Sequence, residues 1–351
     1  MKTEGAPIYS LILSIVLEND DIIHLQKIVV HISNISRADN QAARVAAVAR
    51  HVRALGGKAG AGPFGSVKVS WPLPPTRPKV SIIIPTRDRI SLLKACVESI
   101  IQNTDYPSYE IVIVDNDSAE KETIRYFEEI SKIDNLNILK FSGDFNFSAM
   151  NNYAVRMSSS KYICLLNNDT EIMAPNWLDE LMRYAVRKDV GAVGAKLLYP
   201  DGSVQHAGVV LGLGGAAGHA HRNLSNDDRG YFGQAHFAHF VSAVTAACLV
   251  VAKEKFEVVG GLDAEGFKVA FNDVDFCLKL ERAGWRNVYA PAAVLVHHES
   301  KSRGKDQSPQ NIDRYLKELN LLQRRWNTAS YRDPLHHPHL DPASETYVIK
   351  C

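Results

Sequence analysis

The chain of 351 residues is 46% hydrophobic and 23% charged, with a formal net charge of +1. This composition is typical of a soluble globular protein with a sizeable core, built as one large domain or as one domain plus a smaller unit. The small net charge gives no electrostatic reason to expect a nucleic-acid partner, and the apolar run at residues 8–17 is too short to span a bilayer.

The N-terminal sequence does not have the pattern of a signal peptide. Lys2 is followed by Glu4, and no small-residue cleavage pattern comes after the apolar run. The five cysteines form no CxxC pair, and their odd number and wide spacing predict a reducing, cytoplasmic location. Four of them lie in apolar runs and are expected to be core residues: Cys96, Cys164, Cys248 and Cys277.

Residues 1–78 differ in pattern from the rest of the chain. Apolar runs at residues 8–17 and 28–32 predict two strands, and residues 42–55 predict a helix with Val45, Val48 and Val52 on one face. The proline-rich stretch at residues 71–78 predicts an extended connector. We therefore expect a small N-terminal α/β segment, which resembles the remnant of an upstream domain.

From residue 79 onwards the chain alternates between apolar strands and amphipathic helices. Strands are predicted at residues 80–85, 110–114, 136–141 and 162–166. Such strands, separated by helices, predict a Rossmann-like, mostly parallel sheet with helices on both faces. Right-handed crossovers place all the strand tips at one edge of the sheet, so Asp115 and Asp169 are expected to converge there.

The later part of the chain has a less regular pattern. Residues 206–221 are rich in glycine and histidine and predict a long, partly mobile loop, and long loops in compact domains are usually functional. The further elements predicted are a strand at residues 241–251, a helix at 273–283, a strand at 288–296 interrupted by Pro291, and a helix at 312–326. The large domain is thus expected to span residues 79–330, followed by a C-terminal tail at 331–351.

Two polar motifs suggest metal-assisted group transfer. The sequence Asn167-Asn168-Asp169 follows a buried strand directly, where a carboxylate is well placed to bind a divalent cation. About a hundred residues later, Asp273 and Asp275 stand among apolar residues, as a general base would. Taken alone, each motif is equally well explained as a helix cap or a turn.

Five ordered motifs between about residues 80 and 304 resemble those of the family 2 glycosyltransferases, which have the GT-A fold. They are residues 80–89 (VSIIIPTRDR), 113–118 (IVDNDS), 167–169 (NND), 272–278 (NDVDFCL) followed by 283–285 (AGW), and 297–300 (HHES). The version with NND and a histidine-rich loop is similar to bacterial O-antigen and rhamnan transferases.

The resemblance implies a role for individual residues. It places Asp273 as the catalytic base, and Asp169 with His297 as ligands of a divalent cation, Mn²⁺ or Mg²⁺; His298 remains an alternative to His297, and Asp275 to Asp273. The residues implied in binding the nucleotide sugar are Pro85, Thr86, Arg87, Asp115, Asn116, Asn151 and Asn168. Capping of the local helix is as good an explanation of Asn151.

The function implied by the resemblance is inverting transfer of a sugar from a nucleotide-diphosphate sugar to a saccharide acceptor. In relatives of this type the acceptor is lipid-linked and the product is a bacterial cell-surface polysaccharide, which implies work at the cytoplasmic face of the membrane. Two alternatives remain: a catalytically silent nucleotide-sugar-binding module of a larger transferase, and a nucleotidyltransferase. The latter is disfavoured because residues 86–89 lack the glycine of a triphosphate-binding loop.

Overall fold

The computed structural model describes residues 41–298, 309 and 311–350. The chain forms two compact units, Met1–Pro72 and Leu73–Cys351, and the division falls within the predicted proline-rich connector. The strands predicted at residues 8–17 and 28–32 lie outside the described residues, as do Glu299, Ser300 and Cys351.

In the first unit, the described part is a helix and a hairpin. The helix Gln41–Arg53 agrees with the prediction and buries Ala47, Val48 and Val52. The hairpin pairs β1 (Lys58–Ala61) with β2 (Val67–Ser70) in antiparallel register. This hairpin was not predicted because its strands have only four residues each and lack a continuous apolar run.

The second unit is built on a mixed sheet in which most strands are parallel. Its strands are β3 Val80–Thr86, β4 Tyr109–Asp115, β5 Leu136–Lys140, β6 Tyr162–Leu166, β7 Thr170–Ile172, β8 Val190–Leu198, β9 Val204–His206, β12 His239–Val241, β13 Cys248–Ala252 and β14 Arg286–His297. Their order along the main path of the sheet is β12-β14-β8-β13-β6-β3-β4-β5, with β7 beside β14 and β9 beside β8. Six of the eight described strands on the main path point the same way, and β12 and β13 oppose them. The prediction of a mostly parallel sheet is confirmed.

Helices cover both faces of this sheet, as predicted. The helices are Ile90–Gln102, Lys121–Ile130, Phe147–Met157, Trp177–Ala185, Lys253–Val258, Asn272–Arg282 and Ile312–Trp326. Alternate residues of β3 enter two separate cores: Ile82 and Ile84 pack on the face that holds Trp177, and Ile83 packs on the face that holds Phe276. The alternation follows from the two-residue period of a strand.

Two predicted elements of this unit are wrong. Instead of one strand at residues 241–251, β12 ends at Val241 and β13 begins at Cys248, and the two lie far apart in the sheet. Between the two strands, Ala243 forms an isolated antiparallel bridge with Val209, and most of the other residues are buried outside any strand. Instead of a loop at residues 206–221, the chain forms an antiparallel hairpin of β10 (Val209–Leu211) and β11 (Ala217–His219).

The C-terminal part of the unit packs against this hairpin. The helix Ile312–Trp326 has the predicted bounds. After it, the buried Asp333 carboxylate accepts hydrogen bonds from the Leu211 amide (2.8 Å) and the Ser242 hydroxyl (2.8 Å).

Four cysteines are buried as free thiols, as predicted, and burial raises the pKa of the Cys96 thiol to about 12. Thiols in such surroundings are inert core groups.

Candidate active site

A cleft of about 1200 Å³ opens at the carboxyl edge of the parallel strands. The tips of β3, β6 and β14 contribute to it, as do the hairpin β10–β11 and the start of the helix Asn272–Arg282. Seven predicted site residues line this cleft: Pro85, Thr86, Arg87, Asn168, Asp169, Asp273 and His297. Asp115, Asn116 and Asn151 do not line it.

At one end of the cleft, the turn after β3 is held in an unusual backbone conformation. Asp88 (φ 52°) and Arg89 (φ 57°) both lie in the left-handed region, which non-glycine residues seldom adopt. The Asp88 carboxylate secures the turn by accepting the amides of Ala119 (2.8 Å) and Glu120 (2.9 Å). Arg87 and Arg89 are exposed where this turn lines the cleft, and both carry positive charge.

The tip of β4 lies behind the cleft wall. The Asp115 carboxylate is buried, pairs with Lys140 and accepts the Ser118 amide (3.0 Å). The Asn116 side chain donates to the carbonyls of Phe141 (3.1 Å) and Gly143 (2.9 Å). These contacts tie β4 to the segment after β5, and contact of either residue with a nucleotide stays a prediction.

The helix Phe147–Met157 uses its polar side chains to hold other parts of the chain. The side-chain oxygen Oδ1 of Asn146 caps the helix by accepting the Ala149 amide (2.9 Å). Asn151 is buried within the helix and donates to the Phe147 carbonyl (2.8 Å), a bond inside the helix that does not cap its end. Asn152 donates to the Leu262 carbonyl (2.7 Å) and so fixes the loop that leads towards the candidate base.

The imidazole of His297 meets the carboxylate of Asp169 at the bottom of the cleft. His297 Nε2 lies 3.1 Å from Asp169 Oδ1, and the other ring nitrogen, Nδ1, lies 2.6 Å from Gln205 Oε1. Because an amide oxygen can only accept, Nδ1 donates to Gln205, and this contact turns Nε2 towards Asp169 and towards the Asn167 side-chain nitrogen, 3.2 Å away. A second group that fixes the ring in this way is typical of histidines that bind metals.

His298 points elsewhere. Its Nε2 lies 2.6 Å from Glu171 Oε1, and its backbone amide donates to the Asp169 carbonyl (2.9 Å). Of the two histidines, His297 is therefore the one that faces Asp169. Within the described ranges no group of three His, Cys, Asp or Glu side chains is arranged to hold a metal ion. Asp169 and His297 fit a site in which the protein supplies two ligands and the donor diphosphate supplies others.

Asp273 lies at the start of the helix Asn272–Arg282 and lines the cleft. Its Oδ2 accepts the Ala246 amide (3.1 Å) and its Oδ1 accepts the Val274 amide (2.8 Å), which fixes the carboxylate. Each oxygen has a further lone pair for a substrate hydroxyl. Asp275 is fully buried and accepts from Arg325 (2.9 Å) and the Trp326 indole (2.9 Å), so it is a structural anchor rather than an alternative base.

Three residues of the cleft region were not singled out from the sequence. Tyr315 and Phe271 line the cleft, and Glu318 holds the loop next to them by accepting the amides of Val269 (3.0 Å) and Ala270 (2.9 Å). In the sequence, Tyr315 was simply part of the apolar stripe of its helix. For Glu318 the one signal in the sequence was a glutamate among the apolar positions of this helix.

His219 and His221 lie two residues apart in the sequence, and their side chains have different surroundings in the structure. His219 lines the cleft and its Nδ1 lies 2.8 Å from Nδ1 of the buried His206. His221 instead accepts the Tyr231 amide (3.0 Å) and stacks on Tyr347, and burial lowers its pKa to about 4. They do not form a metal pair, and His219 has the position expected of a residue that contacts a substrate.

Comparisons with known proteins agree with this geometry. Residues 81–246 match the family model described as "Glycosyl transferase family 2". A mannosyltransferase from Pyrobaculum calidifontis, solved with GDP-Man and Mn²⁺, has a similar fold with a TM-score of 0.51 and 17% identity, over 75% of this chain and 69% of that one. The domain thus has the GT-A fold. Over residues 81–246 the chain is thus similar to the family 2 glycosyltransferases.

Longer bacterial proteins contain regions similar to this chain. An uncharacterized protein of Sinorhizobium fredii, y4gI, is 46% identical over 288 residues, which are 82% of this chain and 32% of the relative. The O-antigen biosynthesis protein RfbC of Myxococcus xanthus is 40% identical over 283 residues, 78% of this chain and 21% of the relative. The chain thus spans between about a fifth and a third of these relatives.

Proposed function

We propose that the protein transfers a sugar from a nucleotide-diphosphate sugar to a hydroxyl of a saccharide acceptor, with inversion at the anomeric carbon. The observation that carries this proposal is the meeting of Asp273, Asp169 and the cationic turn after β3 in one cleft. These groups are supplied by three different elements of the fold. A catalytically silent module would have no need to keep a fixed, solvent-accessible carboxylate opposite the Asp169–His297 pair.

In the proposed reaction, Asp273 accepts the proton of the acceptor hydroxyl as that oxygen bonds to the anomeric carbon. The bond between the anomeric carbon and the diphosphate oxygen breaks on the opposite face, and its electron pair leaves with the nucleoside diphosphate. The amides of Ala246 and Val274 hold the Asp273 carboxylate in one orientation, so less reorganisation is needed to reach the transition state.

We propose that Asp169 and His297 hold a divalent cation, Mn²⁺ or Mg²⁺, together with the donor diphosphate. Support comes from the Gln205 contact at Nδ1, which holds the His297 ring with Nε2 facing the Asp169 carboxylate. A hard carboxylate and an imidazole suit Mn²⁺. When bound, such a cation neutralises the charge that develops on the departing diphosphate. Arg87 and Arg89 add positive charge at the other end of the cleft.

The acceptor is proposed to be a lipid-linked saccharide in the synthesis of a bacterial cell-surface polysaccharide. The support is the similarity to a protein named for O-antigen biosynthesis. Among the described residues, no helix is long and apolar enough to cross a membrane. We therefore propose peripheral association with the inner face of the cell membrane.

The Asp273→Asn variant tests the proposed base, because the amide keeps the size of the side chain but cannot accept the proton. Turnover should fall by roughly 10²- to 10⁴-fold, the scale of general-base catalysis. The thermal shift that nucleotide sugars produce should stay the same. Asp201→Asn, an exposed carboxylate outside the cleft lining, is the control and should retain full turnover. Collapse of donor binding in Asp273→Asn would contradict the assignment, and a product with retained anomeric configuration would contradict inversion.

A further inference from the structure

We propose that Phe271 and Tyr315 form an aromatic platform on which a pyranose ring of the acceptor saccharide rests, beside Asp273. This inference rests on the proposed function, because it assigns the subsite of the acceptor. Both side chains line the cleft, and their ring centroids are 5.5 Å apart at an angle of 38°. Phe271 immediately precedes the helix whose first turn carries Asp273.

The exposure of these two rings distinguishes them from the core aromatics nearby. Phe267 and Phe276 belong to the same part of the chain and are completely buried. Phe271 and Tyr315 are half-buried, and each presents part of its surface to the cleft. Phe271 also packs against the core around Phe276, so core packing accounts for only part of its surface and leaves the part that faces the cleft.

The backbone at Phe271 is strained. Its φ of 59° and ψ of 7° lie in the left-handed region, which a bulky aromatic residue rarely adopts. Strain of this kind persists where surrounding contacts enforce it and is concentrated at functional sites. Here the contacts are the Glu318 carboxylate on the amides of Val269 and Ala270, and the Asn272 side chain, which donates to the Val269 carbonyl (2.7 Å).

Proximity to Asp273 identifies the occupant of the platform. The base has to lie within hydrogen-bonding reach of the attacking hydroxyl, so the ring next to it is that of the acceptor and not that of the nucleotide. A pyranose has an apolar C–H face and a polar rim. An aromatic surface buries the apolar face, while the carboxylate of Asp273 meets the rim.

Binding of simple pyranosides tests this proposal without any need for turnover. We would measure saturation-transfer NMR with methyl α-L-rhamnopyranoside, methyl α-D-mannopyranoside and methyl α-D-glucopyranoside. Wild type and Tyr315→Phe should saturate at least one of these probes to a similar extent. Tyr315→Ala should bind that probe about ten-fold more weakly, because it loses most of one aromatic surface.

Two further measurements make each outcome decisive. Tyr315→Leu keeps apolar volume without an aromatic face and should be as weak as Tyr315→Ala; it replaces the alanine variant if circular dichroism shows the latter unfolded. The platform would be overturned if the leucine variant and wild type bound every probe equally well. It would also be overturned if neither protein bound any probe. Tyr315-dependent binding in a protein that shows no thermal shift with nucleotide sugars would leave the platform standing and refute the proposed function.

Discussion

Glu318 offers a quantitative test of how the acceptor side of the cleft is held together. Its buried carboxylate accepts the amides of Val269 (3.0 Å) and Ala270 (2.9 Å), and Arg314 donates to it at 2.6 Å. Removing the carboxylate in Glu318→Ala leaves two buried amides without an acceptor. A buried donor without a partner costs about 1–3 kcal/mol, so the free energy of unfolding should fall by about 2–6 kcal/mol.

Urea unfolding followed by circular dichroism measures this loss. Glu318→Gln keeps one acceptor oxygen and should lose about half as much, which provides a milder variant if the alanine variant does not fold. Glu129→Ala, an exposed position in the helix Lys121–Ile130, is the matched control and should change stability by less than about 0.5 kcal/mol. A loss in Glu318→Ala no larger than that of the control would refute the inference that this carboxylate holds the loop.

The remaining predictions concern metal binding and pH. Mn²⁺ titrations followed by electron paramagnetic resonance, with a nucleoside diphosphate present, should show binding abolished in Asp169→Ala, at least about ten-fold weaker in His297→Ala and unchanged in His298→Ala; equal affinities for the two histidine variants would contradict the assignment. Burial lowers the pKa of His221 from 6.5 to about 4. Between these values the unfolded state binds a proton that the folded state does not, so stability falls as pH decreases through this range, by up to about 3 kcal/mol from this group. His221→Gln should remove that share of the decline in urea titrations at pH 7 and pH 4, and an unchanged decline would show that His221 is not its source.

The sequence by itself determined the architecture of the second unit. Continuous apolar runs at β3, β4, β5 and β6, separated by amphipathic helices, are compatible with a sheet covered on both faces and with little else. Parallel connection then requires the strand tips to share one edge. For this reason Asp115 and Asp169 were predicted to converge at that edge, and of the two Asp169 lines the cleft. Asp273, which lines the same cleft, was assigned through the family resemblance.

The choice between neighbouring residues needed the tertiary structure. His297 and His298 are adjacent, and their residue types are identical. Successive side chains of a strand point to opposite faces. The histidine that faces Asp169 is decided by the register of β14 against β7, which pairs His297 with Thr170, and by the contact with Gln205. Likewise, Asp273 and Asp275 have different surroundings, because the helix Ile312–Trp326 buries Asp275 against Arg325 and Trp326.

Buried turns and distant partners were also beyond local pattern. Residues 242–247 are mostly buried, and burial alone does not distinguish a strand from a turn. Tyr315 lines the cleft and Glu318 holds the loop beside it, and both belong to a helix that begins at Ile312, far along the chain from Asp273. Local sequence determines which segments form strands and helices because those preferences arise from nearby backbone and side-chain contacts. The assembly of the site depends on contacts between residues far apart in the chain, and these exist only once the segments pack.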